Sequence, residues 1–362
     1  MKLSDSVLKY EERVVFALRS LYGAYGYAPF RMSRFEEYDL YVRNKAFLVS
    51  DSVITFTDTD GKLMALKPDV TLSIVKNCRP TPGGTEKLYY DENVFRVSQG
   101  THAFRELRQV GLECIGTLDA VALGEVLCLA ADSLGVIAGE YVLDVSHLGV
   151  VGAVIAALGL GEAAASALLE ALSAKNPHGI LSVLASEGID ASRGEELLAL
   201  CRTAGPADTV IPTLRTALAA NGAALSALRE LEAVLAAAPH RDGIRVDFSV
   251  IHDMHYYNGI VFRGFVPSAS GRVLSGGQYD RLAEKLGRAE GAVGFAVYLD
   301  TLGGGEAVPP PDGVFLLYGE GDDPRAVLSA ADRLRADGSL VRCGRVAPTD
   351  GSRVVTLGEV TE

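Results

Sequence analysis

Cysteine is scarce and scattered in this sequence: Cys78, Cys114, Cys128, Cys201 and Cys343 stand far apart, and no two form a C-x-x-C pair. The odd number and irregular spacing argue against a zinc site and against a disulfide framework, and leave the reduced thiols of a cytoplasmic protein. Long apolar runs are missing too, since no uncharged stretch reaches the ~18 residues that a membrane span needs. The first thirty residues carry Glu11, Glu12 and Arg13 inside an amphipathic pattern and do not read as a signal peptide. Dense Lys/Arg runs are absent and the net charge is −12. An acidic chain of this kind repels polyphosphate, so neither nucleic acid nor a membrane is an expected partner. What is present is the composition of an ordinary globular protein, 48% hydrophobic and 22% charged over 362 residues, which is room for two or three domains.

Residues 8–25 place apolar side chains at helical spacing and end near Gly23 and Gly26. Ser52–Thr57 and Lys62–Leu66 flank Asp60-Gly61, a strong hairpin signal. Lys87–Val97 and Arg105–Gly116 read as strands, and Ala120–Ile137 as a helix packed on their sheet. From 148 to 240 the composition turns to Ala, Leu and Glu, with breaks at Gly159, Asn176-Pro177, Gly188 and Gly205-Pro206, which predicts an all-helical insert. Strands are expected again at Ile244–Val250, Ile260–Val266 and Arg272–Leu274, then a helix over Tyr279–Leu286. The expected organisation is α+β: a core in two parts, 1–147 and 241–302, interrupted by the insert 148–240. A Gly- and Pro-rich linker at 303–312 then leads to a small α/β segment at 313–362, read as strand, helix, strand and strand.

The most informative segment is Arg105–Gly116. Alternate side chains on a strand point to opposite faces, so Val110, Leu112 and Cys114 suit packing under a helix while Gln109, Gly111 and Glu113 face the other way. Two polar groups separated by a glycine suit a small-molecule platform; a solvent-facing side is the plainer reading of the same spacing. Glu113 is the hardest to dismiss, because a carboxylate amid VGLECI is not buried without partners.

The same segment carries a family resemblance. Lys87–Gly116 resembles motif 2 of class II aminoacyl-tRNA synthetases in its histidyl form, and Gly26–Tyr41 resembles motif 1. Ala65–Lys76 is similar to the histidyl "RPEGT" segment, and His255–Phe265 to "DYYNGTVFE". Leu274–Leu302 is similar to "GGRYDGL" followed by motif 3. These segments lie in order across residues 8–302, and the resemblance implies an antiparallel sheet flanked by helices. It also implies a histidine pocket. Asp69 (where the family has Glu) and Thr71 would stand near the α-amino group, Gln109 and Glu113 on the motif 2 strand, and Tyr257 and Tyr279 near the imidazole. Tyr256 belongs to the same Tyr256-Tyr257-Asn258-Gly259 loop. A carboxylate beside an ammonium gives a charge-assisted hydrogen bond, and acceptors for both ring nitrogens would reject apolar isosteres. Plainer readings coexist: Asp69 as the cap of a helix beginning at Val70, and the tyrosines as core residues with satisfied hydroxyls.

The catalytic equipment of the family is depleted. Arg96 keeps the motif 2 arginine and is a residual ATP-site position, but His252 and Thr301 replace the other two phosphate-facing arginines. Ser98 replaces the nucleotide-contacting Glu, and Ser33 the motif 1 proline. Removing one preorganised charge commonly costs about 3 kcal/mol of transition-state stabilisation, so aminoacylation is not expected. His252 and His255 lie three apart without a nearby Cys, and no metal or cofactor is expected. A core with this pocket, a damaged ATP site and a short tail resembles the regulatory subunits of ATP phosphoribosyltransferase. The resemblance implies a non-catalytic, cytoplasmic chain that binds L-histidine. It would activate a short-form catalytic subunit and mediate histidine feedback in the first step of histidine biosynthesis, as a homodimer within a hetero-octamer. A histidyl-tRNA synthetase or amino-acid-activating paralogue, and an interaction scaffold with a disused pocket, are the alternatives.

Overall fold

Two strands of 13 residues each, β5 (Thr85–Val97) and β6 (Phe104–Gly116), pair antiparallel over their whole length. They belong to the larger of two units into which contacts divide the chain, Val14–Gly303; the other combines Met1–Arg13 with Gly304–Glu362. The computed structural model describes residues 8–44, 53–98, 101–238, 242–251, 256–287, 291–302, 313–336, 339–348 and 352–361.

The hairpin sits in a nine-stranded sheet. Its other strands are β1 (Ala28–Pro29), β7 (Val142–His147), β8 (Ala204–Gly205), β9 (Ile244–Asp247), β10 (Ile260–Phe265), β11 (Leu274–Gln278) and β12 (Gly291–Tyr298), in the order β1-β5-β6-β12-β11-β10-β7-β9-β8. The stretch from β5 to β7 is antiparallel throughout; β1 joins β5, and β9 joins β7, in parallel. Register puts Glu113 beside Gly294, and Gly294 beside Gly277, so the adjacent strands β6, β12 and β11 share one face at the level of Glu113.

Between the described α1 (Tyr10–Ala24) and β5 lies a small sheet, β2 (Phe35–Glu37), β4 (Leu63–Leu66) and β3 (Thr55–Thr57), with α2 (Tyr38–Arg43). The β3–β4 turn forms where the Asp60-Gly61 pair predicts it. Asp58 accepts from the Asp60 and Lys62 amides at 2.9 and 2.8 Å, and Gly61 takes φ +81°. The helix α3 (Thr71–Asn77) follows β4.

The opposite face of the sheet is covered by α4 (Ala120–Ile137), which Asp119 caps by accepting from Ala122 N–H at 2.8 Å. By length and composition alone α4 is apolar enough to cross a bilayer, yet it carries Glu125 and Asp132 and buries Leu127, Leu129 and Leu134. The helices α5 (Leu148–Ala157), α6 (Glu162–Ser173), α7 (Pro177–Ser186), α8 (Glu195–Arg202), α9 (Ala207–Ala217) and α10 (Gly222–Ala236) follow β7, with the short β8 between α8 and α9. Lys175 pairs with the buried Asp247 of β9, and Arg245 with Asp144, so these cations balance acids on neighbouring strands.

After β11 comes α11 (Asp280–Lys285). In the smaller unit β13 (Gly313–Leu317), α12 (Pro324–Ala336), β14 (Leu340–Gly344) and β15 (Arg353–Thr356) form a parallel sheet ordered β14-β13-β15, and α13 (Leu357–Thr361) closes it. Val314, Leu316, Val327, Ala330, Ala331 and Val355 make its core.

Four expectations need correction. The insert over 148–240 is not all helical, because Ala204–Gly205 forms β8 and pairs antiparallel with β9 at the edge of the large sheet. The strand expected at Arg272–Leu274 runs over Leu274–Gln278, because Gly276 and Gly277 are strand residues pressed against neighbours: a Cβ on Gly276 would stand 2.4 Å from Gly294 O. The strand expected through Val250 stops at Asp247. The helix expected from Val70 begins at Thr71. The 303–312 linker and His252 and His255 lie outside the described residues.

Candidate functional site

Glu113 is almost wholly buried, 1% exposed, near the C-terminal end of β6. Gln109 and Gly111 on the same face are buried too, so the solvent-facing reading of that face fails. The reason lies in what crosses over it. Two elements converge on the Glu113 carboxyl: Thr71 Oγ1, at the start of α3, donates to one oxygen at 2.6 Å, and the Tyr279 hydroxyl, from the β11–α11 junction, donates to the other.

The floor is glycine. A Cβ on Gly294 would stand 1.8 Å from Glu113 Oε2, one on Gly111 2.5 Å from the Tyr90 hydroxyl oxygen, and one on Gly277 2.8 Å from Tyr257 Cδ1. Glu113, Tyr90 and Tyr257 therefore lie across backbone that no other residue type would leave open. The wall is aromatic: the ring centroids of Tyr256 and Tyr257 are 4.7 Å apart, Tyr256 and Tyr279 5.4 Å, and Tyr257 and Tyr279 6.5 Å. Such tilted and edge-on contacts add to area burial.

Burial pushes the Glu113 carboxyl up to about 8; its two hydroxyl partners hold it down in part, and the nearby Asp69 carboxyl adds to the rise. Asp69 keeps some surface exposed, but burial of its carboxyl raises it as well, against the pull of the Leu72 and Thr71 amides and the Arg96 guanidinium. Its Oδ1 accepts from Leu72 N–H at 2.9 Å, so the plainer reading of Asp69 as a helix-end acceptor holds, one residue ahead of the helix's own cap Val70. Tyr90, Tyr256 and Tyr279 are all held well above the usual phenol range, first by burial, and so stay neutral donors. Two carboxyl groups in one low-dielectric pocket are costly to ionise together, and a ligand carrying an ammonium or ring N–H groups relieves that cost.

Of the residues implied by the resemblance, Asp69, Thr71, Glu113, Tyr256, Tyr257 and Tyr279 come together here. Gln109 shares the face but lies four residues along β6 from Glu113, about 13 Å at strand spacing. Arg96, the residual ATP-site position, donates from Nε to Pro68 O at 3.2 Å, bracing the turn that carries Asp69. Thr301 donates to Tyr298 O at 2.7 Å, and Ser98 N–H to Ala103 O at 2.9 Å. Sequence reasoning missed Tyr90, whose place opposite Gly111 follows from the β5–β6 register, and Asp280, which follows Tyr279 and gathers three hydrogen bonds. It also missed the ion pair between Glu92 and the fully buried Lys67 on the approach to the Asp69 turn. Among the described residues, no three His, Cys, Asp or Glu side chains are grouped as a metal site.

An antiparallel sheet bearing a buried motif 2 carboxylate, with a glycine floor beneath it, defines a class II aminoacyl-tRNA synthetase-like protein. The histidyl-tRNA synthetase family model matches residues 3–302. A curated relative, the ATP phosphoribosyltransferase regulatory subunit of Desulfitobacterium hafniense (strain Y51), is 30% identical over 300 residues, 80% of this chain and 76% of its own length. The chain thus belongs to the histidyl-tRNA synthetase-like family of ATP phosphoribosyltransferase regulatory subunits. A crystal structure of an ATP phosphoribosyltransferase regulatory subunit/histidyl-tRNA synthetase from Bacillus halodurans C has the same fold, with TM-score 0.78 and 24% identity over 96% of this chain and 93% of that one. The ATP phosphoribosyl transferase (HisG:HisZ) complex from Thermotoga maritima contains a chain with TM-score 0.61 and 20% identity, covering 80% of this chain and 97% of that one. Membership with regulatory subunits agrees with the non-catalytic role that the lost motif residues imply.

Proposed function

We propose that this chain senses L-histidine and regulates the short-form catalytic subunit of ATP phosphoribosyltransferase, activating it and relaying histidine feedback in the first step of histidine biosynthesis. The observation that carries the ligand is the pair of buried carboxyl groups, Asp69 and Glu113, under a tyrosine wall. Asp69 answers the α-ammonium, Glu113 an imidazole N–H, and the tyrosine hydroxyls the remaining ring nitrogen. Histidine inhibits only if it binds the inhibited assembly better than the active one, and the Tyr256–Gly259 loop, between the pocket and the first helix after β7, is the element we assign to that bias. The family name and the Thermotoga maritima complex support a catalytic partner. A homodimer within a hetero-octamer, in the cytoplasm, is the assembly we expect.

The test is calorimetric titration of the purified chain with L-histidine and then with ATP, followed by assay of the catalytic subunit with and without this chain. Histidine binding without ATP binding, together with histidine-sensitive activation, supports the proposal. Histidine-dependent ATP–pyrophosphate exchange would restore the synthetase reading, and activation without histidine binding would make the chain a scaffold.

A further inference from the structure

Asp280 is not used by the pocket itself, yet it ties together three elements around it. Its Oδ2 accepts from Asn258 Nδ2 at 3.0 Å and from Gln278 Nε2 at 2.7 Å, and its Oδ1 accepts from Ala292 N–H at 2.9 Å. Asn258 is in the loop that carries Tyr256 and Tyr257, Gln278 ends β11 next to Tyr279, and Ala292 is the second residue of β12, which contributes Gly294 to the glycine floor. The loop is pinned a second time by Asn258 N–H to Gln278 O at 3.0 Å, and a third time by Leu148 N–H to Gly259 O at 2.9 Å. A Cβ on Gly259 would stand 2.1 Å from Gln278 Oε1, so a side chain there would displace the Gln278 amide that Asp280 holds. Only a carboxylate satisfies these three donors at once: an amide at 280 would point its own NH2 at a donor.

We infer that Asp280 is the positioning residue of the ligand loop, fixing the Tyr256–Tyr257 wall against Tyr279 and so setting selectivity for the imidazole ring. Asp280 touches no ligand in this account; it acts through Asn258 and Gln278. Specificity comes from polar groups held where only the right ligand pairs with them, and a wall free to shift loses discrimination before it loses all affinity. The inference rests on the histidine reading for its ligand, but the state of the loop is measurable without one.

The experiment compares full-length wild type, Asp280→Ala, Asp280→Asn and the exchange double variant Asp280→Asn/Asn258→Asp. Calorimetry measures affinity for L-histidine and for 3-(2-thienyl)-L-alanine, a ring analogue without ring N–H groups. Amide hydrogen exchange is followed without ligand at residues 256–260 and 291–293. The expected result is a loss of about tenfold or more in histidine affinity for both single variants, from removal of hydrogen bonds to a charged group. Affinity for the analogue should change little, exchange should accelerate in those two segments alone, and the double variant should recover part of the selectivity. Equal loss for both ligands with faster exchange throughout the chain would make Asp280 merely structural and overturn the inference, as would unchanged selectivity and exchange. If wild type does not bind histidine, the histidine reading fails. Exchange then decides alone, unchanged protection in Asp280→Ala sinking the positioning role and selective loss sustaining it.

Discussion

Thr71 and Glu113 lie 42 positions apart in the sequence and meet through a 2.6 Å hydrogen bond, the hydroxyl donating to the carboxyl. That contact joins the start of α3 to the centre of the sheet and puts Asp69 and Glu113 in one pocket. Glu113→Ala should lower L-histidine affinity about 10- to 100-fold, the range for losing hydrogen bonds to a charged group. Feedback inhibition of the assembled enzyme should go with it. Calorimetry on the variant decides the matter; unaltered affinity and feedback would remove Glu113 from the site.

The same burial makes stability depend on pH in a defined direction. Glu113 titrates near 8 in the folded chain against 4.5 when free, so the native state holds the extra proton between those values. Its contribution is fully present below 4.5 and is lost as pH rises through about 8. His147 works the other way: burial lowers it from 6.5 to about 4, so its contribution is present above 6.5 and is lost as pH falls through 4. The two oppose each other between 4.5 and 6.5, and of this pair only Glu113 acts from 6.5 to 8. Glu113→Gln should therefore remove a negative slope of at most about 1.4 kcal/mol per pH unit from urea unfolding measured over that upper window. An identical slope in wild type and variant would contradict the assignment.

Much of this site was legible because its residues are out of place locally. Alternation alone left the Gln109, Gly111 and Glu113 face as readily solvent-facing as covered; a carboxylate at Glu113 amid VGLECI was what pointed to burial with partners. The Asp60-Gly61 hairpin and the long amphipathic stretches were equally readable. The glycines misled where they lie within strands. Gly276 and Gly277 read as the end of β11, although they are its middle, chosen because Gly294 O and Tyr257 press on them. Asp280 was invisible for a different reason. An acid opening a helix is common, and nothing local says that its partners are Asn258 and Ala292, brought near only by the sheet.

Glycine at 294 is a packing requirement, not a turn. A methyl group there meets Leu112 O at 2.4 Å as well as the Glu113 carboxyl. Gly294→Ala should cost about 1–3 kcal/mol by overpacking and abolish histidine binding together with it. Gly23, with open space around its Cβ position inside α1, is the control, and its change to Ala should leave stability equal or raise it by up to about 1 kcal/mol. Thermal unfolding of the two variants side by side would expose an error if Gly294→Ala matched wild type.

Lys67 is a charge taken fully out of water: its side chain is 0% exposed and its ammonium is paired with Glu92, 17% exposed, on β5. The pair sits two residues before Asp69, and Lys67 O accepts from Phe95 N–H at 2.9 Å, so this stretch of backbone is already fastened to β5 without the charges. Breaking the pair from one side leaves Glu92 poorly solvated, and Lys67→Ala should cost about 3–5 kcal/mol. Replacing both partners by apolar residues of similar volume, Lys67→Met with Glu92→Leu, should be near neutral, because attraction inside the protein hardly exceeds the desolvation of the two ions. Histidine affinity should survive in the double variant, since the backbone bonds at Lys67 and Pro68 that place Asp69 are untouched. Chemical denaturation of the single and double variants separates the cases. A double variant as unstable as the single one would mean that the ion pair, and not the backbone ladder, holds the Asp69 turn against the sheet.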